Sequence, residues 1–153
     1  MNRTTAVCNA MLGALNTALT GGSIELRTGS KPASASAAAT GTLLARLTDT
    51  AQSWSYGSST HGLTFDAASG GVLSKAAAQT WSGTVLADGT VGYARFVSAS
   101  ASETGSNVLD TISRLDLSVS AGGGGECRLS HIDLVTGEPV SCSGFTYTLP
   151  TTV

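Results

Sequence analysis

Residues 70–97 read GGVLSKAAAQTWSGTVLADGTVGYARFV, and they constrain the chain more than any other stretch. A run of Ala, Thr, Gly and Trp leads into Ala87-Asp88-Gly89-Thr90 and then into a second strand-like run. Asp-Gly between two such runs is a strong short-range hairpin signal, because the turns that match strand twist need left-handed backbone. The spacing predicts strands at 80–87 and 90–99 paired across Asp88-Gly89. A sheet of such small side chains, with few titratable groups to spare, suits a protein that adheres rather than one that reacts.

The same punctuation runs through the rest of the chain. Val7, Met11, Leu15 and Leu19 recur every four residues with Leu12 and Ala14 beside them, which predicts an amphipathic helix over 5–19. Thr4 or Thr5 can cap it and Gly21-Gly22 stops it. The period then changes to two: Ile24 and Leu26 alternate with Glu25 and Arg27, the pattern of a half-buried strand. Residues 29–41, interrupted by Pro32 and rich in Ala, Ser and Thr, predict an exposed, mobile loop. Further strands are expected at 42–48, 62–67, 72–75, 109–119, 127–134 and 139–149, with flexible connections at 98–107 and 120–126. Within the last strand Val140 and Cys142 share one parity while Phe145, Tyr147 and Leu149 share the other, so a bulge is expected near Ser143-Gly144. Many short strands at close spacing predict a mainly β protein. The expected architecture is one domain over 1–153, an antiparallel β-sandwich, jelly-roll-like, carrying the N-terminal helix.

Composition narrows the partners. A chain of 153 residues is long enough to bury one real core. Only 12% of residues are charged and the formal net charge is −2, so there is no basic field for a nucleic-acid backbone or an anionic membrane. No apolar run approaches the roughly 20 residues of a spanning helix. Residues 1–19 lack the continuous apolar region of a signal peptide, so the expectation is a soluble chain made in a cytoplasm. Cys8, Cys127 and Cys142 are odd in number and without framework spacing, which predicts free, buried thiols. Whether Cys127 and Cys142 lie close together is left open, since a bridge depends on the alignment of their Cβ atoms.

Chemistry-bearing patterns are sparse. A Ser or Cys nucleophile would have to use His61 or His131 as its base, and there is no Gly-x-Ser-x-Gly elbow. Cys127, His131 and Cys142 lack the paired spacing of a structural zinc site. The glycines at 122–125 are not followed by the Lys-Ser/Thr of a phosphate loop. Asp110, Asp116 and Glu126 are the carboxylates that a glycoside-cleaving pair would draw on, yet Asp116 between Leu115 and Leu117 has the pattern of a solvated outer face. Trp81 sits at an inward strand position and is expected in the core. Trp54 and Tyr56, in a loop-like stretch, are freer to meet a partner. The expectation is a protein with no catalytic site, no metal and no cofactor.

Several segments, taken together, resemble a family of small tailed-bacteriophage virion proteins. They are the N-terminal helix running into LTGGSIEL at 19–26, TGSKP at 28–32, GTLLARL at 41–47, and ASGGVL at 68–73. The 80–97 stretch with Tyr93-Ala94-Arg95-Phe96, GEPVS at 137–141 and FTYTLP at 145–150 complete the set, in register over nearly the whole chain. The chain departs from the family pattern at 126–133, where a cysteine and a histidine enter, and at 98–107.

The resemblance implies a small β-sandwich from among phage structural genes, whose jelly-roll relatives act as capsid cement or decoration proteins. The implied location is the capsid surface of the virion, reached from the host cytoplasm during assembly. The implied partners are the phage major capsid protein and further copies of the chain, as a dimer or trimer at symmetric positions. A tail, baseplate or fibre-associated component is the alternative within virions, and a carbohydrate-binding module for host recognition is the alternative outside that class. Contacts are expected in loops, at Lys31, Pro32, Trp54, Tyr56, His61, Glu103 and Asn107, and at the helix ends.

Overall fold

The computed structural model describes residues 2–100 and 112–151. Glu103, Asn107 and Asp110 lie outside the described residues, together with most of the connection at 98–107 and the start of the strand expected at 109–119.

The helix α1 spans Thr5–Leu19, the expected bounds. Thr4 is its N-cap, with its side-chain oxygen accepting from Val7 N at 3.3 Å, which supplies one of the partners the first turn lacks. Its buried stripe is not the expected one. Cys8, Leu12 and Leu19 are buried, with Leu15 partly so, whereas Val7 and Met11 are 46% and 45% exposed. The i to i+4 ladder from Val7 lies one residue round from the face that packs, and Cys8 with Leu12 supplies the inward contacts instead. No described helix is long and apolar enough to cross a membrane.

The strands are β1 (Ser23–Arg27), β2 (Leu43–Asp49), β3 (Val72–Ser74), β4 (Trp81–Thr84), β5 (Gly89–Thr90) and β6 (Tyr93–Val97). They continue as β7 (Arg114–Leu117), β8 (Val119–Ser120), β9 (Cys127–Leu129), β10 (Asp133–Leu134) and β11 (Pro139–Thr148). Most form one sheet in the order β7-β6-β1-β2-β4-β11-β9-β8, with β3 also paired to β11, while β5 and β10 make a separate ribbon. The two ends of that order, β7 and β8, are one run of chain interrupted at Ser118, so the sheet curls into a nearly closed, barrel-like form. Because β7 runs antiparallel to β6, its continuation β8 meets β9 in parallel, and the sheet is mixed rather than wholly antiparallel. The return from β8 to β9 is tight. Gly123 and Gly125 make it with positive φ of 113° and 91°, a conformation that other residues adopt only under strain.

The hairpin expected across Asp88-Gly89 does not form. β4 pairs with β2 and β11, and β6 pairs with β1 and β7. The Asp88 carboxylate accepts from both the backbone N–H and the hydroxyl of Thr136 at 2.7 Å, so the chain after β4 turns toward residues 134–138. The 90–99 run is broken after Thr90, where Gly92 N donates to Arg27 O at 2.8 Å and delivers β6 to β1. Residues 62–67 likewise form only isolated bridges, Gly22 with Leu63 and Phe65 with Lys75. They cross so close to the helix exit that a Cβ on Gly62 would sit 1.9 Å from Gly21 O. The expected bulge in β11 is present, as a register shift between Cys142 and Gly144.

The core is aromatic at its centre. Phe65 lies 5.5, 5.3 and 5.4 Å from the ring centres of Trp81, Phe96 and Phe145, in edge-on or tilted geometries that suit ring quadrupoles. Trp81 is fully buried, as expected, and its indole N–H donates to Gln79 Oε1 at 3.1 Å. The same Gln79 oxygen accepts from Thr64 N at 2.7 Å and so holds Phe65 in place. Urea titration of two helix variants tests the packed face. Leu12→Ala is expected to lose about 2–5 kcal/mol through the cavity it leaves, and Met11→Ala no more than about 0.5 kcal/mol.

Candidate functional site

Where the sequence predicts a half-buried strand at β1, all five residues are buried. Its inner face carries Ile24 and Leu26. Its outer face carries Glu25 and Arg27, and that face is covered too. The pairing registers place Asp116, Arg95, Glu25 and Arg46 side by side on β7, β6, β1 and β2, a row of alternating charge crossing four strands.

Each member is held by specific bonds. Arg95, fully buried, grips Asp116 in two-pronged fashion, Nε to Oδ1 at 2.7 Å and Nη2 to Oδ2 at 2.8 Å. Glu25, also fully buried, accepts on Oε2 from Arg27 Nε at 3.0 Å and Nη2 at 2.9 Å, and on Oε1 from Arg46 Nη2 at 2.7 Å and from the Tyr56 hydroxyl. Burial alone would raise the Glu25 pKa, but the bonds from Tyr56 and Arg46 and the charges of Arg27 and Arg46 outweigh it and hold the carboxyl below its usual range. A carboxylate so held, with both oxygens taken by donors, is a poor proton acceptor at neutral pH. Asp116 is therefore not on a solvated face, as the Leu-Asp-Leu pattern predicts; its side chain is only 7% exposed and is consumed by Arg95.

The row anchors two surface loops. On one side, residues 28–42 are pinned by Arg95 Nη1 to Ala37 O at 2.8 Å and Arg27 Nη1 to Gly41 O at 3.3 Å. Tyr93 reinforces them, its hydroxyl donating to Thr40 O at 2.8 Å and accepting from Thr40 N at 3.0 Å. The loop expected to be exposed and mobile is thus docked along 37–41, because two guanidiniums and a phenol beneath it need acceptors. On the other side, residues 50–61 fold over Arg46. Its guanidinium carbon stands 5.4 Å from the Trp54 ring centre and 4.9 Å from that of Tyr56, and the two rings meet edge-on at 5.2 Å. The Trp54 indole N–H donates to Gly21 O at 2.8 Å and the residue is buried. Trp54 and Tyr56 are thus bound inward rather than freer for a partner; a half-buried arginine beside a buried carboxylate recruits them.

The candidate contact residues separate into two patches at opposite ends of the row, about 14 Å apart by three strand spacings. His61 is exposed with φ of +60° and rims a shallow depression of about 570 Å³, with Ser53, Ser55, Ser58 and Thr60 around it and Trp54 as its floor. Lys31 and Pro32 border a second depression of about 310 Å³ with Arg114, Asp116, Glu126 and Tyr147. Lys31 lies near enough to Glu126 for its charge to help lower that carboxyl, although the larger influences there are burial, which raises it, and hydrogen bonds from Ser118, which lower it. Among the described residues no group of three His, Cys, Asp or Glu side chains is arranged to hold a metal ion.

No family model, no curated protein and no solved structure matches the chain.

Acid titration tests the row. The folded pKa of Glu25 lies below its ordinary value of 4.5, so its contribution to stability is complete above about pH 4.5 and is lost as the pH falls through the folded value. Thermal melts from pH 7 to pH 3 should show that fall in the wild type. Glu25→Gln should be about 3–5 kcal/mol less stable at pH 7, because it strands two guanidiniums, and should show a shallower acid slope. An unchanged slope would mean that Glu25 is not the group responsible.

Proposed function

We propose that the chain is a phage capsid cement or decoration protein, a non-enzymatic adhesion module that binds the outer shell across capsomer boundaries. The observation that carries this reading is the use of charge. The carboxylates and guanidiniums at the centre of the molecule are spent on one another beneath the loops, and the rim of the depression over Trp54 is Ser53, Ser55, Ser58, Thr60 and His61, hydroxyl-rich and without a carboxylate or guanidinium. Such a surface contacts a partner through shape and neutral hydrogen bonds, and many copies make individually weak contacts collectively strong. The sequence resemblance to tailed-phage virion proteins points the same way. In this reading the partners are the major capsid protein and further copies of the chain in a dimer or trimer, and neither nucleic acid nor membrane is engaged.

The finer architecture belongs to the same proposal. The curled sheet is read as a flattened one, a jelly-roll-like sandwich with β7-β6-β1-β2 facing β4-β11-β9-β8. The contact of Phe96 on β6 with Trp81 on β4 supports two facing layers.

A tail, baseplate or fibre location is the competing outcome. A carbohydrate-binding role has less to stand on, because the Trp54 ring is already engaged by Arg46 and Tyr56. Cryo-electron microscopy of the virion is expected to place density for this chain on the outer capsid shell at symmetric positions. Density confined to the tail replaces the proposal with its alternative. A double variant, Ser55→Glu with Thr60→Glu, puts charge on the exposed rim. It should keep the wild-type melting temperature and bind purified heads at least about tenfold more weakly; unweakened binding removes this rim from the contact.

A further inference from the structure

Cys127 and Cys142 sit on the neighbouring strands β9 and β11, both facing the core, with 0% and 3% of their surfaces exposed. In the β9–β11 register Cys142 lies opposite Leu129, two residues along from Cys127, a diagonal at which side chains of one face are usually too far apart to bond. The bulge between Cys142 and Gly144 changes that, and the two sulfurs stand 3.3 Å apart with a thiol hydrogen bond between them. A disulfide needs the sulfurs about 1.2 Å closer, within reach of small χ1 adjustments in two unbranched side chains.

We propose that Cys127 and Cys142 form a redox-closed staple: hydrogen peroxide joins them in the folded protein as a disulfide tying β9 to β11. The Cys142 sulfur attacks one peroxide oxygen, the O–O bond breaks, and Cys142 becomes a sulfenic acid as hydroxide leaves. The hydroxide takes up the Cys142 thiol proton and becomes water; the Cys127 sulfur then displaces the sulfenic hydroxyl, which takes up the Cys127 proton and leaves as the second water. Two thiols and one peroxide thus yield one disulfide and two waters, the thiols giving up two electrons. Cys142 is the sulfur that attacks the peroxide because it is the less completely buried and accepts the Cys127 hydrogen bond. That bond holds its pKa below the usual thiol range and, together with burial, raises that of Cys127. Burial also excludes a bulky oxidant such as a tripeptide disulfide.

The staple's position gives it a consequence. β9 is the strand that β8 pairs with to close the barrel, and that parallel seam consists of two residue pairs, Val119 with Cys127 and Ser120 with Arg128. Fixing Cys127 to the long strand β11 anchors one side of a seam only two residue pairs long. The inference holds whatever surface the chain binds.

The experiment treats the folded, full-length protein with hydrogen peroxide, unfolds it in an alkylating reagent, and maps it by mass spectrometry. The expected product is 2 Da lighter before alkylation, carries a Cys127–Cys142 cross-linked peptide, and has Cys8 alkylated. Its melting temperature should rise by about 5–10 °C and return on reduction, as expected for a link spanning 15 residues in a chain of this size. Amide exchange of residues 119–129 should slow with it. Cys142→Ala and Cys127→Ala should each abolish both the mass loss and the stabilisation, while Cys8→Ala should abolish neither. If the alanine variants fail to fold, the wild-type peptide map decides alone. Recovery of all three cysteines alkylated, a link involving Cys8, or oxygen added at Cys142 without a cross-link overturns the proposal.

Discussion

The alternating row Asp116, Arg95, Glu25, Arg46 is the constraint around which the molecule is arranged. Burying ionised groups is costly unless each finds an opposite charge and its remaining donors find acceptors. Here the row satisfies most of that demand within itself, and the backbone of residues 28–42 supplies further acceptors at Ala37 O and Gly41 O, while Arg46 Nε is left without a partner. It also specifies register. A slip of one residue between β1 and either neighbour would drive Glu25 or an arginine into the layer of Phe96, Trp81 and Phe145, so no nearby alternative pairing competes. The loops that carry the candidate contacts are therefore positioned by electrostatics lying underneath them, not by their own sequence.

The barrel depends on a second device, the partner switch at Ser118. The Ser118 carbonyl accepts from Cys127 N at 3.1 Å while its N–H donates to Glu126 Oε2 at 2.7 Å, so both backbone groups of the residue between β7 and β8 are tied to the start of β9. One run of chain thereby occupies both ends of the sheet and brings them together.

Local rules were legible where local forces decide. The bounds of α1, its Thr4 cap, the inward Trp81 and the bulge at Ser143-Gly144 all follow from patterns within a few residues, and the structure has each of them. The Asp88-Gly89 hairpin failed because a side-chain contact with Thr136, distant in sequence, redirected the chain. Tertiary partners also overrode the apparent helix stripe through Val7 and Met11, and they dock residues 37–41 of the 29–41 loop. The charged row was missed although it left a trace. Glu25, Arg46, Arg95 and Asp116 each sit singly between apolar neighbours, in Ile-Glu-Leu, Ala-Arg-Leu, Ala-Arg-Phe and Leu-Asp-Leu, and such a lone charge in each of four strands is what a ladder under cover requires. Strand by strand, the same pattern reads as an ordinary wet face.

The Ser118 join also bears on how the chain can reach its final form. β7 takes its partner from β6, the strand before it in the chain, and β8 takes its partner from β9, the strand after it, so both closing seams join segments that are close in sequence. The distant pairings, β1 with β6, β2 with β4 and β4 with β11, lie elsewhere around the barrel. Loop entropy makes those distant pairings the expensive ones and the closure cheap. The cylinder is thus fastened like a belt whose buckle lies between neighbouring holes, with the long reach taken up elsewhere on its circumference.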